Sequence, residues 1–409
     1  MSFAPGPALV RRDGKPAAAT LLVADRCNQA CDHCYQVQGT RGELALDGIE
    51  AVLAELASVG VLFLSLSGGE ATLRADLPEI LRAARRHRFA ISLITNGLAI
   101  SDELLDAIVE TGLRAVSVTV YSDCASDHDA ITRVPGSFAR TCDSIARLAA
   151  RGVRVELGIP LTSACTASRE ALEAFAAKLG CSAVISPWVT AREDGSTAPL
   201  ARAASAAQLH DYFGHASAPR VQDTDRRARL DDHPCGACAS LAVASDGTVR
   251  PCTDVPRVLA NAAHPGSLQA LADSEDYQLL ANVRWRDVHG CRDCDLMPWC
   301  SRCHGSAMKE AGDLLGPQPE ACRVAVARYE AQVGPLIRLA EGSGPFALPG
   351  RGRLQRIEDR LTAADASLPA RFAWTNVGNA SGAARLLPAD RLARPAGAAP
   401  SVARNDFQR

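Results

Sequence analysis

The sequence predicts an α/β protein: a partial (β/α)6 barrel, then a small cysteine-rich domain, then a largely irregular tail. Three observations carry this. Strand-like and helix-like segments alternate from about residue 18 to 190. Eleven of the fifteen cysteines fall in two windows, and an Ala-, Arg- and Pro-rich stretch from about residue 343 shows little periodicity. Alternation of this kind builds a parallel sheet with helices packed outside it.

"TLLVA" is the first strand, ending just before a cysteine loop. "LDGIEAVLAELASVG" has helical periodicity and stops at a glycine, after which "VLFLSLS" reads as a buried strand. Helix "LPEILRAARRHR", strand "AISLIT", helix "SDELLDAIVETG" and strand "AVSVTVY" repeat the unit. Helix "SFARTCDSIARLAARG", strand "VRVELGIPL", helix "SREALEAFAAKLG" and strand "SAVISPWV" complete six β/α steps. In such sheets the reactive site lies at the carboxyl ends of the strands. The cysteine loop, "SGGE" (Ser67 to Glu70) and "TNG" (Thr95 to Gly97) follow strands one, two and three, so three polar loops converge on one rim.

The barrel is placed at 18–215, with 191–234 reading as a connector that contains one helix. The cysteine-rich domain is placed at 235–325, in short turn-rich pieces, as where metal sites rather than a large core hold the fold. "CRVAVARYEAQVGPLIRLAEG" reads as a closing helix, and 343–409 as a disordered tail whose Phe372 and Trp374 either are incidental or dock over the barrel mouth.

Bulk properties narrow the function. Apolar content of 47% and charged content of 22% are ordinary for a soluble globular chain. A formal net charge of −2 gives no electrostatic reason to expect nucleic acid or an anionic membrane as partner. The N-terminus lacks the apolar core of a signal peptide and no apolar run is long enough to span a bilayer. These features point to the cytoplasm, where thiols stay reduced and clustered cysteines suggest metal.

The first window, "DRCNQACDHCYQ", sets Cys27, Cys31 and Cys34 at C-x3-C-x2-C spacing with no fourth cysteine beside them. Structural zinc sites are usually closed by four protein ligands, whereas three thiolates on a four-iron cluster leave one iron open. The second window holds Cys235, Cys238 and Cys252, then Cys291, Cys294, Cys300 and Cys303, then Cys322. Eight thiols suffice for two four-iron clusters, but paired C-x2-C knuckles are also the mark of a zinc ribbon. Cys124, Cys142, Cys165 and Cys181 are isolated and read as small buried residues.

C-x3-C-x2-C after the first strand, with Gly-Gly-Glu after the second, resembles the radical S-adenosylmethionine (SAM) superfamily. The resemblance implies that Cys27, Cys31 and Cys34 hold a [4Fe–4S] cluster whose open iron binds SAM. It implies that Gly68 and Gly69 approach the methionine moiety and that Glu70 accepts from its ammonium group. His33 fills the position where the family's backbone touches adenine, and Asn96 and Thr119 stand at strand ends where the family contacts SAM. Ala71 replaces the proline that usually follows Gly-Gly-Glu.

The second window, with the strand–turn–strand "CASLAVASDGTVRPC", resembles the SPASM extension, which carries auxiliary iron–sulfur clusters. By that family's interleaved pattern Cys235, Cys238, Cys252 and Cys303 would hold one cluster and Cys291, Cys294, Cys300 and Cys322 the other. Cys300 and Cys303 are spaced x2 where the family usually has x3. "HDAITRVPGSF" and "HGSAMKEAGD" are similar to segments of SPASM enzymes that mature ribosomal peptides, although His128 and Asp129 also read as a cap or turn pair.

The implied function is reductive cleavage of SAM and modification of a peptide precursor by cross-linking, epimerisation or oxidation. An electron donor such as flavodoxin or ferredoxin is the implied partner. The rivals are a sulfatase-maturase-like protein oxidation, weakened because Thr253 stands where an Asp is expected, a cofactor- or haem-precursor enzyme, and a non-catalytic zinc scaffold.

Overall fold

The structure is a computed structural model that describes residues 15–222, 225, 227, 229–334, 373–375 and 385–387. Its centre is a nine-stranded sheet. Strand β1 is Ala18–Ala24, β2 Phe63–Gly68, β3 Ala90–Thr95, β4 Ala115–Thr119, β5 Val155–Pro160 and β6 Ser182–Ser186. These six lie side by side in chain order and every neighbouring pair is parallel. Strands β6 and β1 are not paired, so the barrel is partial, as the sequence predicts.

The helices between them cover the outer face: α1 Leu46–Ser58, α2 Leu77–Arg86, α3 Asp102–Thr111, α4 Ala125–Thr132, α5 Ser137–Ala150 and α6 Arg169–Lys178. Helical spacing puts Ile49, Val52, Leu53 and Leu56 on one face of α1, all fully buried against the sheet. Local chemistry sets the ends. Ser101 caps α3 by accepting from the Leu104 N–H, and Gly112 ends it at φ 60°. Ser168 does the same for α6 at the Ala171 N–H.

Helix α4 was not expected. The "HDAITRVPGSF" segment forms this short helix and then the start of α5, whose first turn Asp129 holds. Its carboxylate accepts from the Gly136 N–H at 2.6 Å, the Ser137 hydroxyl at 2.8 Å and the Phe138 N–H at 2.8 Å.

The strand–turn–strand of the second cysteine window continues the barrel sheet. Strand β7 (Ser240–Val243) pairs parallel with β1, in register from Ala18 with Ser240 to Leu21 with Val243. Strands β8 (Thr248–Arg250) and β9 (Ala260–Asn261) follow antiparallel. The connector carries α7 (Ala206–Gly214), entered through a Ser205–Gln208 capping box. The rest is α8 (Glu275–Asn282), α9 (His304–Ala311) and α10 (Pro319–Gln332), with α10 lying on α7 and Arg328 set 5.5 Å over the Phe213 ring. The tail expected at 343–409 lies outside the described residues except for an antiparallel ladder of Ala373–Thr375 with Arg385–Leu387, in which Trp374 is in register with Leu386. Among the described residues no helix is long and apolar enough to cross a membrane.

One buried carboxylate ties the cysteine-rich part to the barrel helices. Glu55 on α1 is 8% exposed and accepts from the Gly266 N–H at 2.7 Å and the Leu268 N–H at 3.2 Å. Glu55→Leu strands these donors and is expected to cost about 1–3 kcal/mol, with Glu55→Gln costing less. Denaturant unfolding measures the loss; an unchanged midpoint in Glu55→Leu would refute the tie.

Candidate functional site

All strands β1 to β6 point the same way, so their carboxyl ends form one rim, and the three polar loops meet there. The loop after β2 packs directly on the loop after β1. A Cβ on Gly68, at φ +152°, would stand 2.4 Å from the Ala24 carbonyl oxygen, and one on Gly69 would stand 2.4 Å from that of Arg26. The Gly69 and Glu70 N–H groups donate to those same carbonyls at 2.8 and 2.9 Å. These glycines therefore allow loop to meet loop, a closeness the sequence analysis ascribed to a ligand.

Glu70 is 2% exposed. Its Oε1 accepts from the Thr72 N–H at 3.0 Å, the Thr72 hydroxyl at 2.8 Å and the Thr95 hydroxyl at 2.7 Å. Its Oε2 accepts from the Asn96 N–H at 2.7 Å. Asn96 in turn donates from Nδ2 to Asn28 Oδ1 at 2.7 Å, and the same nitrogen lies 4.0 Å from Cys27 Sγ. Thr119 ends β4, half-buried.

Cys27, Cys31 and Cys34 are half-buried, and all fifteen cysteines are unbridged. Burial pushes the Cys27 thiol up to about 11 and that of Cys31 to about 12, and each also feels the charge of Cys34. Thiols so placed become thiolates when a cation supplies the missing charge, as a metal does. Tyr121, just past β4, is 6% exposed and sets its Oη 3.4 Å from Cys31 Sγ. The His33 ring meets Tyr121 edge-on with centroids 4.9 Å apart, and burial lowers its imidazole to about 4. Its Nδ1 is buried with no hydrogen-bond partner. Behind Tyr121, the fully buried His128 accepts the Tyr121 N–H at Nδ1, 3.3 Å away. Tyr121 escaped the sequence analysis because nothing local marks it.

Ion pairs fix the cysteine loop on both flanks, another feature the sequence analysis missed. Asp32 binds Arg133 at the end of α4 and, at 2.6 Å, Arg202 of the connector. On the other flank Asp25 accepts the Thr40 and Arg41 N–H groups at 2.6 and 2.8 Å. The Arg41 guanidinium forks onto Glu193 at 3.0 and 2.6 Å, and Arg250 of β8 reaches Glu193 at 3.2 Å.

Seven of the eight C-terminal cysteines fall into two neighbourhoods, Cys235, Cys252 and Cys303 in one and Cys291, Cys294, Cys300 and Cys322 in the other. Burial, then the charges of Cys303, Asp254 and Cys235, raises the Cys252 thiol far above its usual range. Burial and the charges of Cys322, Cys291 and Cys294 do the same to Cys300. Cys303 and Cys322 are each pushed up to about 12, chiefly by burial. Cys238 is fully buried at φ 65°, its Sγ 3.8 Å from the Tyr277 carbonyl. His233, Cys235 and His304 bring one ligand atom each to within 4.8 Å of one another, a set that sequence spacing did not suggest. Asp254 pairs with Lys309 at 2.7 Å.

Residues 21–163 match the model of the radical SAM superfamily. This stretch is a radical SAM domain. Such a domain implies a [4Fe–4S] cluster and SAM, and the rim thiols, of which Cys27 and Cys31 are raised by burial and by the neighbouring thiol charges, suit a cationic cluster. The chain is 35% identical to the PqqA peptide cyclase of Rhodopseudomonas palustris over 152 residues, 36% of this chain and 39% of that protein. It is 29% identical to the mycofactocin maturase MftC of Mycobacterium tuberculosis over 168 residues, 40% of this chain and 43% of that one. The matches thus span about two fifths of these relatives' length. Streptococcus suis SuiB bound to precursor peptide SuiA superposes with a TM-score of 0.58 at 16% identity, covering 76% of each chain. Native anSMEcpe with bound AdoMet and Cp18Cys peptide gives 0.57 at 15%, covering 77% of this chain and 96% of that one. These two likenesses show the shared fold.

The Glu193 clamp has a pH signature. Burial acts to raise its carboxyl, but the Arg41 and Val37 hydrogen bonds and the charges of Arg41 and Arg250 outweigh it, holding the group below its usual 4.5. A carboxyl depressed on folding contributes stability above its unfolded value and loses it as pH falls through the folded one. The clamp is therefore expected to be complete above about pH 4.5 and to loosen below it. The readout is amide exchange at Val37, whose N–H donates to Glu193 at 2.9 Å, corrected for the intrinsic exchange rate. Glu193→Gln should lose that acid step; its persistence would sink the assignment.

Proposed function

We propose that this chain is a radical SAM enzyme that modifies a peptide, most simply a ribosomally made precursor. The observation that carries the reading is the convergence of three unbridged, half-buried thiols, Cys27, Cys31 and Cys34, on the carboxyl rim of the partial barrel. Bound there, a [4Fe–4S] cluster and SAM would supply a 5′-deoxyadenosyl radical able to abstract hydrogen from a side chain or α-carbon. The chain's own residues hold the ligands in place. The ion pairs of Asp25, Asp32 and Arg41 fix the loop, and Asn96 orients its first cysteine. Glu70 Oε2 has one protein partner and keeps acceptor capacity for an ammonium group. His33 and Thr119 complete the SAM contacts in this reading, with Gly68 and Gly69 admitting the backbone.

In the same reading Cys235, Cys238, Cys252 and Cys303 hold one auxiliary cluster, and Cys291, Cys294, Cys300 and Cys322 the other. The two neighbourhoods of thiols support this partition for every cysteine but Cys238, which is assigned by the family pattern. A peptide substrate is supported by the names of the relatives, a peptide cyclase and a maturase, and by the precursor peptide bound to SuiB. Flavodoxin or ferredoxin would donate the electron. A mononuclear zinc site is the second reading, favoured by the His233, Cys235 and His304 set.

Anaerobic reconstitution separates these readings. Three clusters require about twelve iron per chain, four for each, with matching sulfide. Iron near four with two zinc ions would refute the auxiliary clusters. Changing Cys27, Cys31 and Cys34 together to Ala is expected to abolish SAM cleavage under dithionite and leave about eight iron. Deoxyadenosine formed by that variant would place the first cluster elsewhere.

A further inference from the structure

Arg302 stands between Cys300 and Cys303, where the spacing is one residue shorter than the SPASM pattern. It is 2% exposed and among the largest fully buried side chains of the protein. Burying a guanidinium is costly unless an anion compensates it. Its hydrogen bonds go to neutral groups: Nε donates to the Gly316 carbonyl at 2.7 Å, Nη2 to that of Leu314, and Nη1 to His304 Nδ1 at 2.8 Å. His304 is fully buried, and because a guanidinium only donates, its Nδ1 accepts this bond and carries no proton. Asp313 feels the guanidinium but is bound to His289 at 2.7 Å. Geometry links Arg302 to both sites: His304, which takes its Nη1 bond, brings a ring nitrogen to within 4.8 Å of Cys235 Sγ, and Cys300 stands two residues before Arg302 in the chain.

We infer that Arg302 is the shared counter-charge of the two C-terminal cysteine sites, its buried guanidinium balanced by the thiolate-ligated groups on either side and raising the reduction potential of both. The inference rests on the auxiliary-cluster reading above. Net charge and solvent exposure are among the factors that set iron–sulfur potentials. Reduction adds negative charge, and a nearby cation shielded from water favours it more strongly than an exposed one. The two carbonyls and the neutral imidazole fix the direction of the fork without cancelling its charge. One residue thereby tunes two sites together, and the first cluster, at the barrel rim, lies outside the pair.

The test is a redox titration of the reconstituted full chain, followed by electron paramagnetic resonance, in wild type, Arg302→Gln and Arg302→Lys. In Arg302→Gln the reduced-to-oxidised ratio of both auxiliary signals at a fixed poise should fall roughly tenfold, about 59 mV for a one-electron couple. The signal lost on changing Cys27, Cys31 and Cys34 should not move. Arg302→Lys should return both potentials toward wild type. Unmoved auxiliary potentials in Arg302→Gln, or an equal shift at all three sites, would overturn the inference. Loss of auxiliary iron in both variants would assign Arg302 a packing role and overturn it as well. Loss in Arg302→Gln alone would support the charge. Zinc instead of iron in the wild type would overturn the auxiliary-cluster reading and this inference with it.

Discussion

The rim of the barrel is organised by the carboxylate of Glu70. Its main-chain N–H holds the loop after β1 through the Arg26 carbonyl, while its side chain holds Thr95 and Asn96 at the end of β3. Three successive strand ends are thus fastened to one buried residue. Buried side-chain oxygens need donors around them, and here four hydrogen bonds supply them. Everything proposed for Cys27 depends on that fastening, because Asn96, placed by Glu70, is the side chain that reaches the sulfur. The glycines before Glu70 serve the same end by removing the Cβ atoms that would force the two loops apart.

Around this rim the protein uses charge in two manners. The cysteine loop is pinned by ion pairs, those of Asp32 with exposed arginines and those of Asp25 and Glu193 with largely buried ones, and the exposed pairs are individually weak. Their value lies in joining distant segments: Asp32 links α4 to the connector, and Glu193 links residue 41 to β8. In the C-terminal part the Arg302 guanidinium is buried among two carbonyls and an imidazole, where solvent screens it little. The first arrangement fixes geometry and the second sets a local potential.

Much of this was legible in the sequence. All six barrel strands and five of the intervening helices follow from hydrophobic period and glycine stops, because each repeats apolar residues at strand or helix spacing. Helix α4 escaped because it is eight residues long and buries only His128, Ile131 and Thr132, too few to leave a period. The "His-Asp" pair was readable as a cap in the case of Asp129, although it caps the helix that follows rather than its own. The three rim cysteines were legible by local spacing. Tyr121 and Glu193 were not, since their partners lie 90 and 152 residues away and no periodicity records such a distance. The strand–turn–strand after Cys238 was visible too, but its partner strand was not.

That partner has a consequence for how the molecule is made. β1 is flanked by β2 on one side and, on the other, by β7, whose residues pair with it across more than half the chain. A chain emerging from the ribosome can close β1 through β6 long before Ser240 is translated. Throughout that interval one side of β1 is an unpaired edge carrying apolar Leu21 and Val23, the kind of surface onto which another nascent chain can add. The C-terminal half therefore acts as a built-in guard for the N-terminal one, and its synthesis rate bounds the time during which the barrel is exposed to self-association.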